Sequence, residues 1–232
     1  CYGLLPESMS HEGYMAHPVH AYWDDYWAIR GFKDAAAIAA ILGEAAQRER
    51  ITTLCADFQR TLSCSLDVVI REHGLDFVPG SVEFADFDPS ATSIAITVAE
   101  ELPRLPRSVV DQTYDKYLEG FRKRRSGAVP WVNYSAYEIR IIGALVRLGR
   151  REEAHELLAF FLSDRRLLPW NQWPEISWHD PLSPSFIGDM PHSWIGAEYI
   201  LAVRSLFAYE REEDQSLVIA AGIADHWLDD GG

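Results

Sequence analysis

The chain has 232 residues, of which 48% are hydrophobic and 12% aromatic, and its formal net charge is −14. This length and composition are typical of a large globular domain with a substantial core, and they exclude a disordered chain. The acidic balance argues against nucleic acid and anionic membrane surfaces as partners, because both require basic patches, and it is compatible with a neutral or cationic ligand.

The apolar residues recur at three- and four-residue steps and predict seven helices, with short connections between helix pairs. In chain order these helices span about 22–46, 48–73, 91–101, 108–125, 134–148, 152–163 and 192–209. Gly74 and Gly149 are expected to end two of them, and Asp86 or Asp88 to start the 91–101 helix. Residues 217–222 read as a strand. The predicted fold class is therefore mainly α, with stacked αα-hairpins and a short β segment near the C-terminus.

Three further features bear on context. Cys55 and Cys64 lie on opposite faces of one predicted helix, so we predict no disulfide. The compartment stays open, with a secreted or periplasmic location slightly favoured over the cytoplasm. No run of about 20 apolar residues is present, so we predict no membrane span. The chain begins with Cys1 rather than Met, so we expect it to be part of a longer protein.

The start of the first helix carries an unusual segment, Ala21-Tyr22-Trp23-Asp24-Asp25-Tyr26-Trp27. Two adjacent carboxyl groups lie among four aromatic rings. Aromatic faces stack on sugar rings, and carboxyl groups transfer the protons of glycoside cleavage. The alternative is a helix start whose rings are core and whose Asp side chains favour the helix N-terminus.

A second carboxyl group stands in the loop 165–190, which is too long and too aromatic for a simple connection. Glu175 lies at its centre, after Trp173-Pro174, and the loop leads through His192-Ser193-Trp194 into the last helix. The alternative interpretation of Glu175 is a solvated loop residue.

The order of the helices relates these two carboxyl groups. In an array of hairpins the helices alternate in direction. The helix that starts at Tyr22 and the one that starts near His192, six steps later, therefore run the same way. In a closed ring of twelve helices, six steps are half a turn, and Asp24 and Glu175 would face each other across the cavity. A separation of about 6.5–9.5 Å would accommodate a water molecule and give inversion.

These motifs resemble those of the six-hairpin glycosidases, whose fold is an (α/α)6 toroid. Trp23-Asp24-Asp25 resembles the Trp-Glu-Glu segment that carries the general acid in glucoamylase-type members, with Asp in place of Glu. Pro174-Glu175 ahead of His192-Ser193-Trp194 resembles the loop that carries the base, with the Ser-Trp order reversed. The resemblance covers nearly the whole chain. It implies that residues 1–210 are the C-terminal half of such a toroid and that 211–232 begin a following β module.

The resemblance implies an inverting glycoside hydrolase acting on an oligo- or polysaccharide. We assign Asp24 as general acid, with Asp25 or Glu12 as its rival, and Glu175 as base. Substrate-binding candidates share an aromatic or imidazole ring: His11, Tyr14, Trp23, Trp131, Trp173, His192 and Trp194. We predict no cofactor and no metal ion. The carbohydrate substrate is the predicted ligand, and we expect helices that complete the ring to come from a preceding segment, another chain or a neighbouring copy. Inactivity of this chain without those helices would not contradict the predicted hydrolase.

Two other functions remain open. Some relatives with the toroid fold are phosphorylases, in which phosphate replaces the water molecule and no carboxylate base is required. A non-catalytic α-hairpin array could instead bind a glycan or a partner through its aromatic loops.

Overall fold

The structure, a computed structural model, describes residues 3–10, 14, 17–166 and 168–228. The prediction of a mainly α protein is confirmed, since this described part holds seven α-helices and two small antiparallel sheets of two strands each. The chain divides into two compact units, residues 1–114 and 115–232. In the described residues, none of the helices has both the length and the apolar composition that a bilayer span demands.

The helices of the first unit follow the predicted order with shifted ends. They are α1 (Tyr22–Ile41), α2 (Ala45–His73), α3 (Pro89–Thr97) and the start of α4 (Arg107–Arg125). The predicted end of the first helix at residue 46 was wrong, because Gly43 adopts a positive φ of 75° and turns the chain into α2. The helix expected over 91–101 begins at Pro89, where the Asp88 side chain accepts a hydrogen bond from the Ala91 N–H. Asp88 is thus the helix-starting residue of the two that were proposed.

The α1–α2 pair forms a hairpin that is buried only at one end. The buried residues of α2 recur at helical spacing from Cys55 to Val69, and the Tyr22 hydroxyl lies 2.9 Å from that of Ser65. Gly74 ends α2 with a φ of 60°, as predicted. The opposite end of the hairpin, residues 38–54, which we call the arm, is almost entirely exposed; Ile41 is 84% accessible to solvent.

The second unit combines three further helices with both sheets. Its elements are the remainder of α4, β1 (Asn133–Ser135), α5 (Ile141–Arg147), α6 (Arg151–Ser163), β2 (Ile176–Trp178), α7 (Ser193–Phe207), β3 (Ala208–Arg211) and β4 (Ser216–Ile219). Both α6 and α7 agree with the predicted helices within two residues at each end. Gly149, with a φ of 78°, follows the end of α5, as expected.

The helix expected over 134–148 is corrected in its first half. Residues 133–135 are extended and pair antiparallel with β2, with Ser135 opposite Ile176. A 3-10 helix, Ala136–Arg140, then leads into α5. The strand pairing fixes the start of β2, because the Ala136 N–H donates to the Glu175 carbonyl at 2.8 Å. Glu175 therefore stands on an anchored backbone and not in an unattached loop.

The predicted C-terminal strand is present as β4, and its partner β3 was not predicted. The residues after the hairpin pack on the second unit: the His155 Nε2 lies 2.7 Å from the Gly222 carbonyl oxygen, and Arg151 donates to the Ile223 carbonyl at 3.0 Å. The expected module boundary at residue 210 stays a prediction.

Candidate functional site

The first candidate site is the α1 carboxyl pair, Asp24 and Asp25, in the first unit. Asp24 is half-buried, and each of its oxygens accepts a hydroxyl hydrogen bond. Ser8 donates to Oδ2 at 2.7 Å and Ser10 to Oδ1 at 2.8 Å. These bonds tie the segment 3–10 across the start of α1, and they satisfy a carboxylate on both sides.

Asp25 has a very different environment, although it is the next residue. Its side chain is 1% exposed; Oδ1 accepts the Leu5 N–H at 3.0 Å, and Oδ2 is buried without a hydrogen-bond partner. Burial raises the pKa of Asp25 to about 7, helped by the charge of Asp24 and opposed by the Leu5 N–H and by His20. Asp25 therefore retains its proton well above the pH at which an ordinary carboxyl group loses it.

This contrast bears on the choice of general acid that the sequence left open. A general acid must hold a proton near neutral pH. Asp25 meets that requirement through its burial, whereas Asp24 is half-buried and accepts two hydroxyl bonds. The environments favour Asp25 over the first choice, Asp24. The other rival, Glu12, lies outside the described residues, as does His11.

The four rings of the α1 segment divide into two groups. Tyr22 and Tyr26 are core residues with almost no exposed surface. Trp23 and Trp27 lie on the outer side of the helix and meet edge to face, with ring centroids 6.1 Å apart. Trp23 remains a candidate sugar platform, while the two tyrosines explain why the carboxyl group of Asp25 is enclosed.

Tyr14 is a buried residue that bonds within the protein, and it is not an exposed substrate contact. It is buried, and its hydroxyl donates to Asp86 Oδ2 at 2.8 Å; the other oxygen of Asp86 accepts the Ser81 hydroxyl at 2.6 Å. The expectation that Tyr14 binds substrate is corrected on this ground, because its hydroxyl is committed within the protein.

The second candidate site lies in the second unit, where α7 begins. We call it the α7 entry cluster, and it consists of Tyr137, Glu175, Asp189, His192 and Trp194. His192 Nδ1 lies 2.5 Å from Asp189 Oδ2, and its Nε2 lies 3.1 Å from the Tyr137 hydroxyl. Glu175 and His192, both predicted from sequence, thus lie in one group.

The carboxylate of Asp189 links the two predicted residues. Its Oδ1 accepts the Glu175 N–H at 3.0 Å. Burial alone would raise the pKa of Asp189, but this backbone bond and the neighbouring His192 outweigh it and hold the pKa below the usual range. Asp189 is therefore a charged acceptor that orients the imidazole.

Two groups of described residues have the donors and the closeness to hold a metal ion. They are Glu175, Asp189 and His192 in the second unit, and Glu7, His20 and Glu83 in the first, with donor atoms within 4.8 Å of one another in each group. In each group the histidine already contacts a carboxylate: His20 Nδ1 lies 2.6 Å from Glu83 Oε1.

A buried ion pair bonds to Trp194 of the α7 entry cluster. Arg140 and Glu198 are 3% and 7% exposed and are joined by a bond of 2.8 Å from the guanidinium to Oε1. The same oxygen accepts the Trp194 indole N–H at 3.1 Å. Four residues of this region were not predicted from the sequence: Tyr137, Arg140, Asp189 and Glu198. The four-residue spacing of Trp194 and Glu198 on one helix was the one readable signal.

The two remaining tryptophan candidates differ. Trp173 is a core residue: it is 2% exposed, its indole N–H donates to the Phe161 carbonyl at 2.9 Å, and its ring packs on Tyr199. Its expected role as a sugar platform is corrected, because a platform needs an accessible face. Trp131 is half-buried and packs on His179, with centroids 4.3 Å apart.

Neither a scan against protein-family models nor searches of curated proteins and of solved structures found a significant match to this chain.

Proposed function

We propose that this protein is a glycoside hydrolase that cleaves an oligo- or polysaccharide by general acid–base catalysis with two carboxyl groups. Asp25 is the general acid, Asp24 lies beside it, and Glu175 is the base. The two roles lie on different units, and their pairing follows the order of the helices in the sequence and the resemblance to the six-hairpin glycosidases.

The observation that carries the proposal is the contrast between Asp24 and Asp25. Adjacent carboxyl groups whose environments differ this strongly are typical of acid–base sites, where one group must be protonated and the other ionised. A helix start that needed only capping would not bury one carboxyl group with a partnerless oxygen. Because the segment 3–10 covers Asp25, this segment must shift when the proton is delivered.

Each of the two proton transfers accompanies the breaking or the forming of one bond. Asp25 donates its proton to the glycosidic oxygen as the bond to the anomeric carbon breaks. Glu175 accepts a proton from a water molecule, whose oxygen forms the new bond to that carbon. The product carries the inverted configuration. Asp25 then regains a proton from solvent and Glu175 releases one, which restores both groups.

The surroundings of Glu175 favour hydrolysis over phosphorolysis. Asp189, whose pKa is lowered and which is therefore ionised, lies against the Glu175 backbone. A phosphate ion at this place would meet two carboxylates, and the nearest imidazole, that of His192, is already bonded to one of them.

The test is glycan cleavage by the parent protein and by the variants Asp25→Asn, Asp24→Asn and Glu175→Gln. Release of reducing ends from a panel of neutral, amino and acidic glycans is measured with and without inorganic phosphate. We expect Asp25→Asn and Glu175→Gln each to lower kcat by about 10²–10⁴-fold. Glu213→Gln, an exposed position in the β3–β4 turn, serves as the matched control and should leave the rate unchanged.

Three results would overturn the proposal. The first is a parent protein that cleaves none of the glycans even together with the helices expected to complete the ring. The second is Asp25→Asn and Glu175→Gln variants that are folded and as fast as the parent. The third is a sugar phosphate as product, which would indicate a phosphorylase.

A further inference from the structure

Trp194 is an exposed aromatic ring that is nevertheless held in place. It is 48% exposed at the first turn of α7, yet its indole N–H is bonded to Glu198 Oε1. Its ring also meets Tyr137 edge to face, with centroids 5.3 Å apart and an interplanar angle of 76°. A surface tryptophan with no role beyond packing does not require both restraints.

Buried residues hold both Glu198 and Tyr137, the two groups that contact Trp194. Arg140 bonds to the same Glu198 oxygen and lies over the Tyr137 ring, 4.5 Å from its centroid. A buried ion pair gives little net stability compared with apolar residues of the same size, because both charges lose their hydration. The Arg140–Glu198 pair is better explained by what it orients than by what it stabilises.

The groups beside this ring indicate the kind of ligand. A flat apolar face flanked by hydrogen-bonding side chains suits a pyranose, which presents C–H groups to the ring and hydroxyl groups at its edge. Tyr137 joins the Trp194 ring to the polar groups, since its ring meets Trp194 and its hydroxyl lies 3.1 Å from His192 Nε2. Glu175 and Asp189 lie close to His192 and supply carboxylate oxygens. The charge of Arg140, beneath Tyr137, is matched by Glu198.

We infer that Trp194 is a preorganised stacking platform, fixed by the buried Arg140–Glu198 pair, for a pyranose that bears no carboxylate. A uronic acid would bring a third negative charge to Glu175 and Asp189, whereas a neutral or amino sugar would not. Fixing the ring in advance reduces the entropy lost on binding. The inference rests on the proposed function for the class of ligand, and it adds the positioning pair and the selection by charge.

The test measures binding with turnover suppressed, by calorimetry on the Asp25→Asn protein, which keeps the carboxylate of Glu175. The probes are neutral, amino and uronic oligosaccharides of gluco, galacto, manno and rhamno configuration. We expect binding of a neutral or amino sugar, at least ten-fold weaker binding of the matching uronic sugar, and recovery of part of that difference at high salt. Trp194→Ala should weaken binding roughly five- to ten-fold. Trp170→Ala removes another exposed ring of the same unit, which is 56% accessible, and should change nothing.

The positioning role is tested separately. Glu198→Gln leaves Arg140 without its counter-charge and is expected to unfold the region in part. The double variant Arg140→Met with Glu198→Leu replaces the pair by apolar residues and should fold. In that variant the Trp194 indole N–H resonance should lose its hydrogen-bonded shift, and binding should weaken as in Trp194→Ala.

The outcomes distinguish this inference from the proposed function. Sugar binding that depends on Trp194 in a protein that never cleaves, even together with the helices expected to complete the ring, would refute the hydrolase and leave the platform. Cleavage with KM and Kd unaffected by Trp194→Ala would refute the platform and leave the hydrolase. Preference for uronic sugars, or a double variant that folds and binds like the parent, would also overturn the inference.

Discussion

Replacing Asp25 by Asn should make the protein more stable at alkaline pH. Asn resembles the protonated carboxyl group: its oxygen can accept the Leu5 N–H, and its NH₂ group takes the place of the partnerless Oδ2. The two side chains should therefore be nearly equivalent at low pH, where Asp25 is protonated in both the folded and the unfolded state.

The magnitude follows from the pKa of Asp25. It rises from 3.8 in the unfolded chain to about 7 in the folded protein. Because the folded state binds the proton more tightly, the free energy of unfolding is highest below pH 3.8 and falls as the pH rises towards 7. At about 1.4 kcal/mol per pKa unit, the parent loses about 4 kcal/mol across this range, and the Asn variant is spared that loss.

Urea unfolding of both proteins at pH 5, 6, 7 and 8, followed by circular dichroism, measures the difference. The advantage of Asp25→Asn should grow steadily with pH and level off above pH 7. Asp24→Asn is the control for net charge, because it removes a neighbouring carboxyl group that is half-buried and hydrogen-bonded at both oxygens. An advantage that is the same at pH 5 and pH 8 would refute the burial argument. An equal gain for Asp24→Asn would attribute the effect to the net charge of −14.

Three further predictions concern the fold. Gly222→Ala should destabilise the protein by about 1–3 kcal/mol, because the new Cβ would lie 2.7 Å from the Leu206 Cα; Gly120→Ala, with no atom within 4 Å, should instead stabilise α4 by about 0.5–1 kcal/mol. Thermal unfolding checks both, and a Gly222→Ala protein as stable as the parent would contradict the packing. Asp88→Ala should cost about 1 kcal/mol, since the Ala91 N–H loses its cap; an unchanged urea midpoint would show that the cap contributes nothing.

The helices were predictable because their signals are local. Gly74 adopts the left-handed conformation that ends α2, and Asp88 caps α3, each within a few residues of the prediction. The β1–β2 pair was missed because it joins segments about forty residues apart, and Tyr134 and Ser135 carry no strong preference against a helix. Such pairing depends on tertiary contacts that a local pattern does not contain.

The candidate site was predictable in part for a related reason. Residue type and neighbours identified Glu175, His192 and Trp194, which do lie together. The partner pair Arg140 and Glu198 is separated by 58 positions, so no spacing rule connects it. The choice between Asp24 and Asp25 likewise depends on the distant segment 3–10. This segment donates hydroxyl bonds to Asp24 and covers Asp25.

The arm at residues 38–54 divides α2 into two parts with different dynamics. Residues 45–54 are exposed except for the partly covered Ile51, so their amide hydrogen bonds depend on the helix itself. Those amides should exchange with solvent deuterium through local fraying, whereas amides near Leu62 and Val69, whose side chains are buried, should exchange only when the first unit opens. One continuous helix should therefore show a gradient of protection factors rising towards its C-terminal half.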